Sequence, residues 1–509
     1  MKILDCTLRD GGYYTNWDYS DEISDTYIEA LNLLPIDYIE IGYRSLLTNK
    51  YRGKFFYCPE YVLQEIREKS NKKLAVMVNE KSVNMTSAIS LLSPIKGVID
   101  TVRIAVSPEY FSRGLKLAEE VKAMGFEVGF NVMHMSTWNK SKSFLNQIKE
   151  VNGIVDYFYM VDSYGGVYPN DVKSSYELIR EKTDVCIGFH GHNNLEMAFI
   201  NTLTAIKCGV DIVDATVTGI GRGAGNLKLE LLLTAMEQKG EIEFDFNPLG
   251  DVVAIFSELQ KSYQWGTSLP YMVAGANSLP SQNVMEWVGK RYYSFNSILR
   301  TLENQTKGIE DNIKLEGFKP KFKAEKVLII GGGPTGSEHE IAIRRFLSKD
   351  LDIVVIHVSS KNVKAYQKIV NNQVHCLVGN EGHRLESTFE TMTSDNRVAI
   401  LPPYPRAMGT YIPKIFEHKV FELKNISFTN IFKDSVTAIA IQVAIDLDAS
   451  EIFFTGYDGY NELVSQNELE LFYENQELFS MLNKMEINVS SLTPTKYSDL
   501  KVSSLYASI

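Results

Sequence analysis

The chain has 509 residues, 44% hydrophobic and 23% charged, an ordinary globular composition, and its length predicts two to four domains. The net charge of −11 argues against a nucleic-acid binder and against attraction to anionic membranes. No apolar run approaches the roughly 18 residues of a membrane span, no leader is visible, and the five cysteines lack CxxC spacing. We therefore expect a cytoplasmic protein with reduced thiols.

Short apolar strands alternate with amphipathic helices through residues 1–240. The predicted strands are Lys2–Cys6, Tyr38–Gly42, Leu74–Val78, Thr101–Ala105, Glu127–Val132, Tyr157–Val161, Val185–Phe189 and Ile212–Thr216. Predicted helices include Asp21–Leu33, Tyr61–Lys69, Phe111–Met124, Leu195–Cys208 and Leu227–Gln238. Eight strand–helix pairs predict a TIM (β/α)8 barrel, whose active site lies at the carboxyl ends of the strands. A doubly wound open sheet is the alternative.

Two further regions follow the predicted barrel. Residues 241–320 carry the helical patterns Val252–Tyr263 and Val284–Tyr293, with a predicted loop, Leu269–Asn277, between them. We expect a helical extension over the barrel mouth, or alternatively a plain helical linker domain. Residues 319–326 are basic and predict a linker. Residues 321–509 again alternate strands and helices, which predicts a second, Rossmann-like α/β domain.

The second domain opens with a glycine-rich turn. Gly331, Gly333 and Gly336 follow a predicted strand, a context that favours a bound phosphate. The next strand ends without an acidic residue for a ribose hydroxyl, which disfavours NAD. Through this turn and residues 451–459, the domain resembles the nucleotide-sugar-linked, sialyltransferase-like or pterin-diphosphokinase-like α/β domains attached to surface-glycan enzymes. Nucleotide or nucleotide-sugar binding is therefore predicted, with a scaffold or oligomerisation role as the alternative.

The first chemical signal follows the first predicted strand. Arg9 and Asp10 are succeeded by Gly11 and Gly12, which predicts a strand that ends in a cation, a carboxylate and a sharp turn. A carboxylate at a strand end can hold a metal ion, and the adjacent arginine can hold an anion. The alternative is a buried salt bridge.

The second signal is a pair of histidines at the end of the seventh predicted strand. His190 and His192 are two residues apart, so both imidazoles point to the same face. Asn226 lies in the glycine loop 219–226 after the eighth strand, which could also be a flexible loop or a phosphate cradle. Strand 8 of a closed barrel neighbours strands 7 and 1. We therefore expect Asp10, His190, His192 and Asn226 to converge on Mn²⁺, Mg²⁺ or a similar ion.

The three motifs, residues 7–11, 190–194 and 219–226, resemble the DRE-TIM metallolyase superfamily. This group includes HMG-CoA lyase, isopropylmalate and homocitrate synthases, and 4-hydroxy-2-oxovalerate aldolase, to which the chain is most similar. The resemblance implies that Asp10, His190 and His192 are metal ligands and that Arg9 binds substrate. Asn226 matches a ligand found in some members only. The implied chemistry makes or breaks a carbon–carbon bond beside the carbonyl of a 2-oxo acid.

One position departs from the aldolase pattern. Tyr13 stands where those aldolases carry a catalytic histidine and the synthases a glutamine. A phenol is a poor base at neutral pH but can donate a proton or hydrogen bond to an alkoxide, so Tyr13 is a hypothesis for that role. Further polar residues predicted near the mouth are Glu40, Arg44, Arg103, His134, Asp162 and Ser163.

The predicted function is thus a divalent-metal-dependent carbon–carbon lyase or synthase of aldol type. Its expected partners are a pyruvate-like 2-oxo acid and an aldehyde, in surface-glycan or unusual sugar biosynthesis, and a homo-oligomer is the expected assembly. One alternative is a Claisen-type synthase that uses an acyl-CoA. The other is a nucleotide-sugar binding or transferase protein with a degenerate barrel.

Overall fold

A computed structural model describes residues 1–290, 293–320, 323–379, 381–388, 395–460 and 466–509. The chain forms two compact units, Met1–Glu286 and Trp287–Ile509. Their boundary falls within residues 241–320, the segment predicted as a helical extension. Residues 321 and 322 of the predicted linker, and 291 and 292 of the predicted helix Val284–Tyr293, lie outside the described residues.

Eight parallel strands close into a barrel in the first unit, which confirms the predicted TIM barrel. The strands are β1 (Lys2–Asp5), β2 (Tyr38–Tyr43), β3 (Lys73–Asn79), β4 (Thr101–Val106), β5 (Glu127–Val132), β6 (Tyr157–Asp162), β7 (Cys186–Gly191) and β8 (Ile212–Ala215). The barrel closes because β8 pairs with both β7 and β1. Strands such as β4 and β6 are buried along their whole length, since helices cover one face and barrel side chains fill the other.

Helices surround the barrel and continue beyond it. They are α1 (Thr7–Thr15), α2 (Asp21–Leu33), α3 (Lys54–Tyr57), α4 (Glu60–Lys69), α5 (Met85–Leu92), α6 (Phe111–Ala123), α7 (Lys142–Gln147), α8 (Pro169–Arg180), α9 (Ala198–Cys208), α10 (Leu229–Gln238), α11 (Phe246–Tyr263), α12 (Leu269–Ala276) and α13 (Ser281–Val288). The prediction of a loop over Leu269–Asn277 was wrong, because α12 occupies it. Pro270 lies in the first turn of α12, where its missing N–H costs no hydrogen bond.

A second correction concerns the start of the chain. β1 ends at Asp5, and Arg9, Asp10, Gly11 and Gly12 belong to helix α1 rather than to a strand end and turn. The glycines serve packing: a Cβ at Gly12 would lie 2.1 Å from the Trp17 ring. Helix α1 therefore follows β1 directly along the chain, and its first turn carries Arg9 and Asp10.

The second unit contains a parallel eight-stranded sheet in the order β13-β12-β11-β10-β9-β14-β15-β16, which confirms the predicted Rossmann-like α/β architecture. Its strands are β9 (Lys326–Ile330), β10 (Val354–His357), β11 (Gln373–Cys376), β12 (Arg397–Leu401), β13 (Val420–Glu422), β14 (Glu451–Thr455), β15 (Asn488–Ser491) and β16 (Lys501–Val502). Its helices are α14 (Phe295–Lys307), α15 (Thr335–Glu338), α16 (Glu340–Lys349), α17 (Glu381–Thr388), α18 (Val436–Asp446) and α19 (Gln466–Leu482). The strand order reverses between β9 and β14. None of the described helices is long and apolar enough to cross a membrane.

Candidate active site

Three of the predicted metal ligands meet at the barrel mouth. Asp10 lies on α1 behind β1, His190 on β7, and His192 directly after β7. Nε2 of His190 is 3.7 Å from Oδ2 of Asp10, and one potential ligand atom from each of the three residues lies within 4.8 Å of the others. All three side chains are buried. The juxtaposition arises because β1 and β7 flank the same strand, β8.

Hydrogen bonds orient both imidazoles. Nδ1 of His190 is 2.8 Å from Oδ2 of Asp214, and Nδ1 of His192 is 2.8 Å from the backbone carbonyl oxygen of Asp162. Both partners accept hydrogen bonds, so each Nδ1 carries a proton, and in a neutral ring the Nε2 atom then has a lone pair for a metal ion. Burial lowers the pKa of His192 to about 3, which keeps this ring neutral at neutral pH. Such outer partners are typical of metal-ligating histidines.

Asn226 completes the cluster. Its side-chain nitrogen donates to Oδ2 of Asp10 and to the Ile220 carbonyl, whereas its Oδ1 is buried without a hydrogen-bond partner. Burial opposes ionisation of Asp10, but Arg9, the two imidazoles and Asn226 lower its pKa to about 2. The mouth therefore offers an ionised carboxylate, two imidazole nitrogens and an unsatisfied amide oxygen.

A buried ionic network supports these groups from inside the barrel. Glu40 accepts from Nε of Arg9 at 2.7 Å and from Arg103 at 2.9 Å, and Arg103 also donates to Asp214. Together with Asp10, the network contains three carboxylates (Asp10, Glu40 and Asp214) but only two guanidiniums, those of Arg9 and Arg103. An uncompensated buried charge is costly, so a cation at Asp10 would offset the excess. The charge and the mixed oxygen and nitrogen donors both fit a divalent metal ion.

Asp10, His190 and His192 line a cavity of about 120 Å³, whose other lining residues include Arg9, Tyr13, Tyr43 and Arg222. The hydroxyl of Tyr13 lies 3.2 Å from that of Tyr43, and burial raises the pKa of Tyr43 well above its usual value. Three of the lining side chains have a buried polar atom without a hydrogen-bond partner: Asn131 Oδ1, His134 Nδ1 and Arg222 Nε. Buried polar atoms are nearly always hydrogen-bonded in proteins, so these three atoms are available to a water molecule or to a polar ligand.

Arg44, Asp162 and Ser163 were also predicted near the mouth, and of these three Ser163 alone lines the cavity. Arg44 donates to the backbone carbonyls of Tyr57, Cys58 and Leu91 and does not line the cavity. Ser163 lines the cavity, and its Oγ accepts from the His134 backbone N–H at 2.9 Å. The Asp162 carboxylate accepts from the backbone N–H groups of Gly166 and Val167.

Sequence reasoning missed Asp214, the partner of both His190 and Arg103. Its signal was a lone carboxylate in the otherwise apolar strand Ile212–Ala215. Arg9, predicted to bind substrate, lines the cavity, and it also forms buried salt bridges with Asp10 and Glu40, as the alternative prediction had it.

The glycine turn of the second unit packs against its own chain. A Cβ on Gly331 would lie 2.3 Å from the Gly456 carbonyl oxygen, and one on Gly333 would lie 2.0 Å from Oδ2 of Asp458. The backbone N–H and hydroxyl of Thr335 both donate to the Asp458 carboxylate. A carboxylate therefore takes the donors expected to face a phosphate. Cofactor binding by Gly331, Gly333 and Gly336 stays a prediction.

The closed barrel and the polar cluster at its mouth define a class, the TIM-barrel enzymes that act through a metal ion at the strand ends. The chain belongs to the HMGL-like family, whose profile matches residues 1–256. The DRE-TIM resemblance is thereby confirmed, and the chain is an enzyme of the metal-dependent lyase kind.

Individual proteins with similar sequences or structures are consistent with this family assignment. Oxaloacetate decarboxylase of Mycobacterium tuberculosis is 31% identical over 244 residues, which are 47% of this chain and 71% of that protein. 4-Hydroxy-2-oxovalerate aldolase of Carboxydothermus hydrogenoformans is 30% identical over 258 residues, 50% of this chain and 75% of that protein. Among solved structures, the N-terminal domain of a candidate aldolase from Bacteroides vulgatus is 52% identical with a TM-score of 0.57, and the match covers 59% of this chain and 99% of that domain.

Proposed function

We propose that this protein makes or cleaves a carbon–carbon bond between a pyruvate-like 2-oxo acid and an aldehyde, with Mn²⁺ or Mg²⁺ as cofactor. The observation that supports this proposal most directly is the cluster of Asp10, His190 and His192. The Nδ1 atoms of both histidines are hydrogen-bonded to protein oxygens, which leaves both Nε2 atoms available to a metal ion. The aldolase and decarboxylase relatives support this reaction class.

The ligand set would be Asp10, His190, His192 and Asn226. A bound divalent ion supplies a Lewis acid for the ketone of the 2-oxo acid. Arg9 is held by Asp10 and Glu40, so its guanidinium keeps a fixed position at the cavity wall. An N–H donor held in this way needs no reorganisation to stabilise the negative charge that develops on the enolate oxygen.

Two lining residues are assigned to proton transfer. The phenol pair of Tyr13 and Tyr43 is suited to donating a hydrogen bond, and we assign Tyr13 to the oxygen of the aldehyde. His134 can accept a proton, because its buried Nδ1 has no partner, and burial and the nearby charges of Lys81 and Arg222 lower its pKa and so keep the ring unprotonated at neutral pH. We assign His134 to removing the proton from the donor methyl group.

The central test follows deuterium entry into the methyl group of pyruvate by NMR, together with metal analysis of the purified protein. We expect bound divalent metal and exchange that EDTA abolishes and Mn²⁺ restores. A parallel sample with acetyl-CoA tests the Claisen alternative. Exchange of acetyl-CoA alone, or metal-independent exchange, would contradict the proposal.

Two variants separate the proton-transfer roles. His134→Gln should slow methyl exchange by about 100-fold or more, the usual size of a general-base effect. Tyr13→Phe should lower the rate of bond formation with an aldehyde more than the rate of exchange. Full activity of Tyr13→Phe in both assays would remove this phenol from the mechanism.

The surface-glycan context depends on the second unit alone. It rests on a short resemblance and on the position of the glycine turn where the strand order reverses, the usual ligand position of doubly wound sheets. The homo-oligomer likewise stays a prediction.

A further inference from the structure

We propose that Arg222 forms an anion-binding subsite, so that the preferred aldehyde carries a carboxylate or a phosphate in addition to its carbonyl. This inference rests on the proposed function, and it narrows the substrate class from any aldehyde to anionic aldehydes.

The loop that carries Arg222 is anchored at several points. The Asn226 N–H donates to the Gly219 carbonyl at 3.0 Å and closes the loop on itself. The Gly223 carbonyl accepts from the hydroxyl of Tyr14 at 2.6 Å. The N–H of Asn193, next to the second histidine, donates to the Gly225 carbonyl at 2.8 Å. These bonds join the loop to α1 and to the metal-ligand cluster, so Arg222 is held at the cavity wall.

The guanidinium of Arg222 has spare binding capacity. Its Nη2 donates to Gln282 Oε1 at 3.2 Å, and its Cζ lies 5.4 Å from the centre of the Tyr13 ring. Its Nε is buried without a partner, and no carboxylate among the described residues pairs with it. Arg9 and Arg103, by contrast, each contact two carboxylates. Arg222 is thus the cavity-lining guanidinium whose charge has not been neutralised.

The surrounding charges leave this part of the cavity positive. Asp10 is the one carboxylate among the described lining residues, and Arg9 already pairs with it. His134 is kept neutral by burial and by the positive charges of Lys81 and Arg222. An anion placed at Arg222 would therefore meet a guanidinium that pairs with no carboxylate among the described residues.

The chemistry selects an oxyanion group on a small molecule. A guanidinium presents its N–H donors in a planar fork that matches both carboxylate and phosphate oxygens. The cavity of about 120 Å³ favours short acceptors. Carboxylate and phosphate share this recognition chemistry, and paired substrates distinguish them.

The first experiment compares aldehydes matched in chain length with wild-type protein, pyruvate and Mn²⁺. Butanal and succinic semialdehyde test a carboxylate, and glyceraldehyde and glyceraldehyde 3-phosphate test a phosphate. We expect the anionic member of one pair to have about a 10- to 100-fold higher kcat/KM, the range of a charge-assisted hydrogen bond. If pyruvate exchanges its methyl protons but neither anionic aldehyde is preferred, the subsite is wrong and the proposed function stands. Without pyruvate exchange, the proposed function itself fails.

The second experiment assigns the preference to Arg222. Arg222→Gln should abolish it, and Arg222→Lys, which keeps the charge but loses the fork, should retain part of it. Arg345→Gln removes an exposed arginine from α16 as the matched control and should keep the full preference. A preference unchanged in Arg222→Gln would overturn the assignment.

A binding measurement is independent of turnover. In titration calorimetry with inorganic phosphate and with butyrate, wild-type protein should bind one of the two anions about tenfold or more tightly than Arg222→Gln. Equal binding by the two proteins would overturn the subsite. The wild-type aldehyde comparison remains decisive if Arg222→Gln does not fold.

Discussion

The two units carry similar polar and glycine-rich motifs after parallel strands, but they use them differently. At the barrel mouth, Asn226 keeps a buried oxygen without a partner, and two histidines keep their Nε2 atoms free. At the edge of the second sheet, Asp458 accepts from the backbone and side chain of Thr335, and Gly333 lets it approach. Polar groups at a strand end indicate a ligand where the fold leaves them unsatisfied.

The difference arises from the groups that contact the polar residues at each edge. The barrel interior holds Glu40, Arg103 and Asp214, whose bonds orient Arg9 and His190 and leave the cluster with one excess negative charge. In the second sheet, the loops after β9 and β14 contact each other through backbone atoms, as the N–H of Gly333 donates to the Gly456 carbonyl at 2.8 Å. The glycine turn at that edge is therefore hydrogen-bonded within its own unit.

The largest expected effect comes from Asp10→Asn. Loss of the carboxylate proposed as a ligand should weaken Mn²⁺ binding by more than about 100-fold, beyond the loss typical of an outer partner, and abolish measurable methyl exchange. Asp458→Asn, the carboxylate of the other sheet edge, is the control and should leave Mn²⁺ affinity unchanged. Titration calorimetry with Mn²⁺ measures both. Equal Mn²⁺ affinity in the two variants would contradict the proposal that the metal ion binds at the barrel mouth through Asp10.

A smaller effect is expected from Asp214→Asn. An amide oxygen can accept only a weaker, uncharged hydrogen bond from His190, so Mn²⁺ affinity should fall about 10- to 100-fold. Arg103 also loses its charge partner, so thermal unfolding must confirm that the variant is folded. Wild-type affinity in a folded variant would show that the network does not support the metal site.

The second unit should weaken in acid. Burial lowers the pKa of His357 to about 4, and burial also lowers that of His375, whose ring stacks on it at 4.8 Å. The unfolded chain takes up these protons near pH 6.5, so stability is fully present above that pH and falls as pH drops toward 4. Between pH 7.5 and 5, His357 alone should account for about 2 kcal/mol.

Chemical denaturation of the full chain at the two pH values measures this loss. His192 in the barrel contributes with the same sign, so the informative quantity is the difference between wild type and His357→Gln. An identical pH dependence in both proteins would contradict the assignment to the second unit.

The smallest effect comes from paired glycine substitutions in the second unit. Gly333→Ala would force a Cβ against Asp458 and should destabilise the protein by about 1–2 kcal/mol, in the range of overpacking. Gly332→Ala meets the Ser359 hydroxyl at 3.1 Å, and this side chain can move, so its effect should stay within about 0.5 kcal/mol. Equal unfolding free energies for the two variants would mean that the turn is not closed on Asp458.

Much of the fold could be predicted because the apolar strands repeat at regular intervals. All eight barrel strands overlap their predicted ranges, and Glu127–Val132 matches its prediction. The helix that contains Arg9 and Asp10 could not be predicted, because consecutive glycines are typical of a turn. The close packing of Gly12 against Trp17 depends on contacts that form only on folding. Asp214 was missed because one carboxylate in a short strand does not reveal its partners.

The sequence by itself determined the eightfold alternation, the two α/β units, and the residue types from which a metal site could be built, since periodicity and local motifs are encoded along the chain. Only the tertiary structure decided which polar atoms remain free. That distinction depends on contacts between distant residues: Asp458 with Thr335 in one unit, and Asp214 with His190 in the other. Closure of the barrel between β8 and β1 brings Asn226 to Asp10 and leaves its oxygen available.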